Sequence, residues 1–232
     1  MKKLVAILMV AILALSFVGC KKEFDPSAKS EGVMTYAEYD AAALDSEVVI
    51  EAYVQAHQDW WEDKVTVYAQ DPDGAYFIYE MSCSEADAAK LTPGTKIKVT
   101  GVKGAWSGEV EILDATFEFV ESETWVAEAF DATSLLSDEA ALIKHQNKLV
   151  SFKDLEIAKV EYKGGQPGND IYVTVKQGDA EYSFCVESYL TGPDTAVYET
   201  VGTLKAGDKV DVEGFLYWYE GVNTHITAVT VK

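Results

Sequence analysis

Near its end the chain reads Gly207-Asp-Lys-Val-Asp-Val-Glu-Gly-Phe-Leu-Tyr-Trp-Tyr-Glu-Gly-Val-Asn-Thr-His-Ile-Thr-Ala-Val229. An earlier copy, Gly94-Thr-Lys-Ile-Lys-Val-Thr-Gly-Val-Lys-Gly-Ala-Trp-Ser-Gly-Glu-Val-Glu-Ile-Leu-Asp-Ala-Thr116, aligns with it without a gap. Each copy has a turn glycine, an alternating strand with a glycine inside it, a tight turn and a second alternating strand. Alternation of apolar and polar residues is typical of strands with one buried face. The sequence therefore predicts one β unit that occurs twice.

The segments before each copy also repeat. A short helix that begins at the capping box Thr35-Tyr-Ala-Glu38 comes first. A strand (48–54), a hairpin (64–79) and a second short helix (84–91) then lead to the first copy. A helix capped by Ser137 (137–145), a strand (149–160), a hairpin (170–187) and an irregular connector (188–206) lead to the second copy in the same way. This order predicts a mainly all-β fold of two tandem five-stranded OB-fold-like barrels, each preceded by a short helix.

The N-terminus has the pattern of an export signal. Lys2 and Lys3 precede a short apolar run, and Phe17-Val18-Gly19-Cys20 resembles a bacterial lipobox. That resemblance implies cleavage before Cys20 and lipidation of its thiol; the alternative is an ordinary signal peptide or anchor with an incidental cysteine. The predicted divisions are a signal peptide (1–20), a flexible tether (21–32), an OB-like domain (33–121), a linker with a short helix (122–144) and a second OB-like domain (145–232).

The charge of the chain bears on its partners. The formal net charge is -20, and all 19 basic residues are lysines. Proteins bind nucleic acid by neutralising phosphates, and arginine makes the bidentate contacts to phosphate and guanine. We therefore expect the chain to be a poor candidate for binding nucleic acid or an anionic membrane surface.

No pattern in the chain indicates catalysis. The three histidines, His57, His145 and His225, lie in different predicted elements, and His225 is expected at the surface or at a strand edge. The segment 71–74 predicts a hairpin turn rather than a calcium loop. Cys83 and Cys185 are predicted to be independent thiols, with an interdomain disulfide as the alternative. We expect no enzyme activity, no metal and no cofactor.

Aromatic residues on polar loops are the candidate binding residues. Ligands of OB-folds usually lie between the loop joining strands 1 and 2 and the loop joining strands 4 and 5. The tentative ligand contacts at these positions are Trp60, Trp61, Trp106, Trp218 and Tyr219. The alternative is that these rings close the barrel ends or pack the two domains together.

The whole mature chain resembles an uncharacterised group of bacterial lipoproteins with tandem OB-fold-like domains. The residues that carry this resemblance are the Cys20 lipobox, Asp59-Trp60-Trp61, Thr92 to Val99, Trp106 to Glu111 and Gly214 to Gly221. The resemblance implies a protein exported from the cytoplasm and anchored by lipid to the cell membrane.

The function expected from the sequence is non-enzymatic binding or scaffolding in the cell envelope. The expected ligand is a glycan or a protein partner. The alternative is single-stranded nucleic-acid binding, the familiar use of the fold. A hydrolase with an unrecognised site is a third hypothesis, and the oligomeric state is left open.

Overall fold

The computed structural model describes residues 24–232. The predicted signal peptide and Cys20 lie outside this range. The first barrel consists of β1 (Glu47–His57), β2 (Lys64–Gln70), β3 (Ala75–Ser82), β4 (Lys96–Trp106) and β5 (Glu109–Phe119). These strands pair in the order β1-β2-β3-β5-β4, and the sheet closes on itself through the β1–β4 pair. The parallel β3–β5 pair and four antiparallel pairs form an OB-like barrel.

The second barrel repeats this order. It consists of β7 (Leu149–Tyr162), β8 (Ile171–Gln177), β9 (Ala180–Val186), β10 (Lys209–Phe215) and β11 (His225–Val231). The order β7-β8-β9-β11-β10 returns to β7 through a β10–β7 pair, and a two-residue strand, β6 (Phe130–Asp131), lies parallel to β7. The predicted fold class is confirmed. The predicted tight turn of the second copy is wrong, because residues 216–224 form a longer irregular connection.

The helices are short. They are α1 (Tyr36–Ala41), α2 (Glu85–Ala88), α3 (Glu139–Leu142) and α4 (Ala196–Thr203), with 3-10 turns at Thr133–Leu135, Ile143–His145 and Lys163–Gly165. Thr35 and Glu38 form the predicted capping box, but α3 is capped by Asp138 rather than Ser137. The sequence did not predict α4. None of the helices between residues 24 and 232 is long and apolar enough to cross a membrane.

The mid-strand glycines of the two copies lie at equivalent irregularities. The β4–β5 register shifts at Gly101, and the β10–β11 register shifts at Gly214. A Cβ atom on Gly214 would lie 2.2 Å from the carbonyl oxygen of His225, and one on Gly101 would lie 2.7 Å from that of Leu113. These bulges bring two backbones together where only glycine fits.

The segment predicted as a flexible tether is fixed to the first barrel over part of its length. The ammonium of Lys29 donates hydrogen bonds to the buried Asp71 carboxylate and to the carbonyl of Glu51. The backbone amide of Ser30 donates to Glu51 Oε2 at 3.2 Å. The ammonium of Lys96 donates to the carbonyl of Ala28 at 2.7 Å. The prediction of a flexible tether over residues 21–32 is therefore wrong at residues 28–30.

The two barrels pack against each other through an apolar contact. Tyr68 and Phe77 of the first barrel form a buried cluster with Phe215 of the second. The rings of Tyr68 and Phe215 stack with centroids 4.3 Å apart. The hydroxyl of Tyr68 also lies 2.7 Å from Nδ1 of His225. The contact is therefore both apolar and hydrogen-bonded, and it orients the barrels relative to each other.

A buried carboxyl group lies in this contact. Glu109 is completely buried, and its Oε2 accepts a hydrogen bond from the backbone amide of Trp218 at 2.9 Å. Its Oε1 has no partner among the described residues, and neither has Oδ1 of Asn147, whose side chain also interacts with Glu109. Desolvation by burial raises the pKa of Glu109 to about 8, and the charge of Glu111 adds to the effect. The carboxyl group is therefore mostly protonated at neutral pH.

Candidate ligand-binding cleft between the barrels

A cleft of about 870 Å³ opens where the β1–β2 loop of the first barrel meets the segment after β9. This volume lies in the range of small-ligand sites. The first barrel lines it with residues from four places, namely 58–62, 64–66, 79–80 and 85, and the second barrel contributes Glu187 and Tyr189. Neither barrel forms the cleft alone.

Hydrogen bonds hold the two walls together. The backbone amide of Asp59 donates to the carbonyl of Tyr189 at 2.9 Å. Nε2 of Gln58 donates to Oε2 of Glu187 at 3.0 Å. The Glu187 carboxylate also accepts from the backbone amide of Tyr189 at 3.3 Å. The first two of these bonds cross the junction of the barrels, so the shape of the cleft depends on the packing of one barrel against the other.

The β1–β2 loop projects one tryptophan and anchors the next. Trp61 and Lys64 exchange backbone hydrogen bonds of 3.0 Å around Glu62 and Asp63, whose φ angles are 46° and 61°. Positive φ at both central residues is the geometry of a two-residue β-hairpin turn with the right-handed twist of the strands. Trp60 is half-buried, packs against the first core and donates from Nε1 to the carbonyl of Cys83 at 2.8 Å. Trp61 is 71% exposed.

Three exposed rings converge on the cleft. Tyr189 is 65% exposed, and Tyr79 within β3 is 43% exposed; both line the cleft with Trp61. Large aromatic side chains are normally buried in cores or interfaces, where they contribute most to stability or binding. A group of exposed rings around a concave surface is therefore typical of a binding site.

The five residues predicted as ligand contacts are separated by the fold. Trp60 and Trp61 line the cleft, whereas Trp106, Trp218 and Tyr219 do not. Trp218 is 3% exposed and packs in the second core, so no ligand reaches it. Trp106 and Tyr219 are exposed at the two strand-connecting tips, which meet where the backbone amide of Glu220 donates to the carbonyl of Ser107 at 2.7 Å.

The cleft is acidic. It is lined by Asp59, Glu62, Glu80, Glu85 and Glu187 but by only one basic residue, Lys64, which pairs with Glu80 at 2.7 Å. Desolvation by burial raises the pKa of Glu187 to about 7, whereas the hydrogen bond from Lys64 lowers the pKa of Glu80. The surface that a ligand meets therefore combines carboxylates with aromatic rings.

The histidines and cysteines do not converge on the cleft. The expectation that His225 is a surface or edge residue is wrong: it is 7% exposed, stacks on Tyr217, and burial lowers its pKa to about 4. Ile226 fills the second core, so His225 does face away from that core, but Tyr68 of the first barrel covers it. Cys83 and Cys185 are both free and buried, as predicted. Within residues 24–232, no three side chains are arranged to hold a metal ion.

The fold and the cleft together define a mainly β protein of two OB-like barrels with a concave surface shared between them. No protein-family model matches the chain. No curated protein matches it.

The chain is similar to solved structures at low sequence identity. One is a murine DNA-binding protein bound with double-stranded DNA, at 13% identity and a TM-score of 0.37, with 79% of this chain and 94% of that chain covered. Another is an Ifi202 HINa domain in complex with 20-base-pair double-stranded DNA, at 11% identity and a TM-score of 0.36, with 81% and 98% covered. The p202 HIN1 domain in complex with 12-mer double-stranded DNA gives 11% identity and a TM-score of 0.36, with 79% and 92% covered.

These complexes contradict one prediction made from composition. The acidic charge and the absence of arginine predict a poor candidate for nucleic-acid binding, whereas these three similar structures are described as complexes with double-stranded DNA. What those proteins bind is a property of those proteins, and the likeness to this chain concerns the fold.

Proposed function

We propose that the chain is a non-enzymatic binding protein of the cell envelope that receives its ligand in the cleft between its two barrels. Lipid on Cys20 would anchor it to the membrane of a bacterial cell, outside the cytoplasm. The support for export and anchoring is the charged start, the short apolar run and the Gly19-Cys20 pair of the sequence. An acyl chain contributes about 0.8 kcal/mol of membrane affinity per buried methylene.

The exposure of Trp61 carries this proposal. A two-residue turn with positive φ angles holds this ring in front of the cleft, and the ring is 71% exposed. Tyr79 and Tyr189 lie along the same surface. Aromatic faces stack on sugar rings and on the side chains of protein partners, and the surrounding carboxylates accept hydrogen bonds from hydroxyl or ammonium groups. The ligand classes that suit this surface are a glycan and a protein partner.

Nucleic acid is the second candidate ligand. OB-like barrels bind oligonucleotides, and exposed aromatic rings stack on bases whatever the sequence. Three of the similar solved structures are described as bound to double-stranded DNA. Binding of this kind would weaken steeply with rising salt, because each neutralised phosphate releases counterions.

Removing the exposed rings of the cleft is expected to weaken ligand binding strongly. The full chain, solubilised in detergent, is applied to arrays of glycans, peptides and oligonucleotides. The Trp61→Ala/Tyr189→Ala double variant should bind the retained ligand at least about tenfold more weakly, since each stacked ring contributes about 1–3 kcal/mol. Both side chains are exposed, so the fold should be preserved.

The matched control is the Trp106→Ala/Tyr172→Ala double variant. It also removes one tryptophan and one tyrosine ring. Trp106 is 61% exposed and Tyr172 is 40% exposed, but neither lines the cleft. We expect it to bind like the unaltered chain. Loss of binding in the control but not in the cleft variant would place the site at Trp106 or Tyr172, outside the cleft, and would contradict the proposal.

A further inference from the structure

The carboxylates of the cleft have few positive neighbours. Of the five that line it, only Glu80 forms an ion pair within residues 24–232, and its partner is Lys64. Asp59, Glu62, Glu85 and Glu187 form none of the ion pairs found in this part of the chain. Carboxylates gathered at a concave surface repel one another unless a cation lies between them. The cleft is therefore complementary to positive charge.

The aromatic rings of the cleft favour the same kind of ligand. Trp61, Tyr79 and Tyr189 lie beside these carboxylates. The face of an aromatic ring attracts ammonium and guanidinium groups, most strongly for tryptophan. Rings and carboxylates that share one surface can bind the methylene stem and the charged head of a basic side chain at the same time.

The carboxylates are also spread along the cleft. They belong to the β1–β2 loop, β3, the start of α2 and the segment after β9, so they come from both barrels. A ligand with one amino group would meet only one of these places. An extended peptide rises about 3.3 Å per residue and places successive side chains on opposite sides, so several basic side chains would reach separate carboxylates. The net charge of -20 would also attract a basic polypeptide over the whole surface.

We propose that the ligand of the cleft is a lysine- or arginine-bearing segment of a protein partner. Its basic side chains stack on Trp61 and Tyr189 and pair with Glu62, Glu85 and Glu187. This inference rests on the proposed function, because it names the ligand of the same cleft.

The test uses the full chain in detergent and a synthetic peptide of alternating lysine and serine. The matched probe is the same peptide with every lysine acetylated, which removes the charge and keeps the length. The Glu62→Gln/Glu85→Gln/Glu187→Gln variant removes three of the four carboxylates that form no ion pair and leaves Asp59 in place. The control variant is Glu139→Gln/Glu199→Gln/Glu213→Gln, which changes the net charge equally at exposed positions outside the cleft. A Glu62→Gln/Glu85→Gln variant keeps the Glu187 hydrogen bonds intact.

We expect the unaltered chain to bind the lysine peptide and not its acetylated form. The triple cleft variant should bind about tenfold more weakly, and the control variant should change affinity by less than about twofold. The affinity of the Glu62→Gln/Glu85→Gln variant for the lysine peptide should lie between those of the triple cleft variant and the control variant. Equal binding of both peptides, or equal loss in cleft and control variants, overturns the proposal.

Two further outcomes separate this inference from the proposed function. In the first outcome, a glycan such as a chitosan tetramer binds the unaltered chain but not the Trp61→Ala/Tyr189→Ala variant, and the lysine peptide binds neither. The cleft is then the binding site, but its ligand is not a basic segment. If the lysine peptide binds this double variant as well as the unaltered chain, the cleft is not the site, and both proposals fail.

Discussion

Replacing Gly214 by alanine is expected to unfold the second barrel. The new Cβ atom would lie 2.2 Å from the carbonyl oxygen of His225 and 2.9 Å from Cα of Ile226. Both are backbone atoms of the paired strand β11, so no side-chain rotation relieves the clash. The strands would have to separate at the bulge, beside the core residue Ile226. We expect a loss of at least about 3 kcal/mol in the free energy of unfolding, a large part of the stability of a typical domain.

The matched control for this substitution is Gly192→Ala. A Cβ atom at Gly192 would lie 3.5 Å from its nearest neighbour, the carbonyl oxygen of Ser188, which is an ordinary contact. We expect its stability to change by less than about 0.5 kcal/mol. Urea denaturation followed by tryptophan fluorescence measures both variants, because Trp218 is buried in the second core. Equal midpoints for Gly214→Ala and the unaltered chain would contradict the role of the bulge.

Replacing Glu109 by glutamine is expected to stabilise the protein above neutral pH. The pKa of Glu109 is about 8 in the folded chain, against an ordinary value of 4.5. Between these values the folded state holds a proton that the unfolded state has released, so stability falls as pH rises through this window. Burial raises the pKa of Glu187 to about 7, which acts in the same direction. The lowered pKa of His225 acts in the opposite direction, but only between about pH 4 and 6.5.

The informative range is therefore pH 6.5 to 8.5. Over this range we expect the unaltered chain to lose on the order of 2 kcal/mol of stability. Glu109→Gln should lose much less, because the neutral amide retains an acceptor for the Trp218 amide and supplies a donor toward Asn147. Urea midpoints at several pH values measure the difference. Glu213→Gln, at an exposed position of β10, should keep the full decline. If the urea midpoint of the unaltered chain did not change between pH 6.5 and 8.5, Glu109 would not be protonated in the folded state at neutral pH.

The fold was predictable because its signals are local. Alternating residues predict the strands, Thr35 and Glu38 predict the first helix start, and Gly101 and Gly214 occupy equivalent places in two gapless copies. The sequence pattern is a weaker guide where packing against the rest of the protein, rather than the local sequence, decides the secondary structure. The helix α4 lies in a segment with Gly192-Pro193 at its start and Gly202 inside it, which reads as irregular from sequence alone.

The site was predictable only in part because it joins distant segments. The loop position of Trp61 could be inferred from the strand pattern around it. Glu187 ends the predicted hairpin and Tyr189 lies in the irregular connector after it, and only the packing of the barrels places them opposite the β1–β2 loop. The same packing buries His225, whose place in the strand alternation predicts an exposed side chain. Periodicity within one element does not report which face a second barrel covers.

The most direct test of the account is photocrosslinking from inside the cleft. A benzophenone-bearing residue replaces Trp61 in one full-chain variant and Tyr172, exposed on β8 outside the cleft, in another. Each variant is irradiated with the ligand that the unaltered chain retains most strongly on the arrays. The account predicts a covalent product from position 61 and none from position 172. A product from position 172 alone, or equal products from both positions, would contradict it.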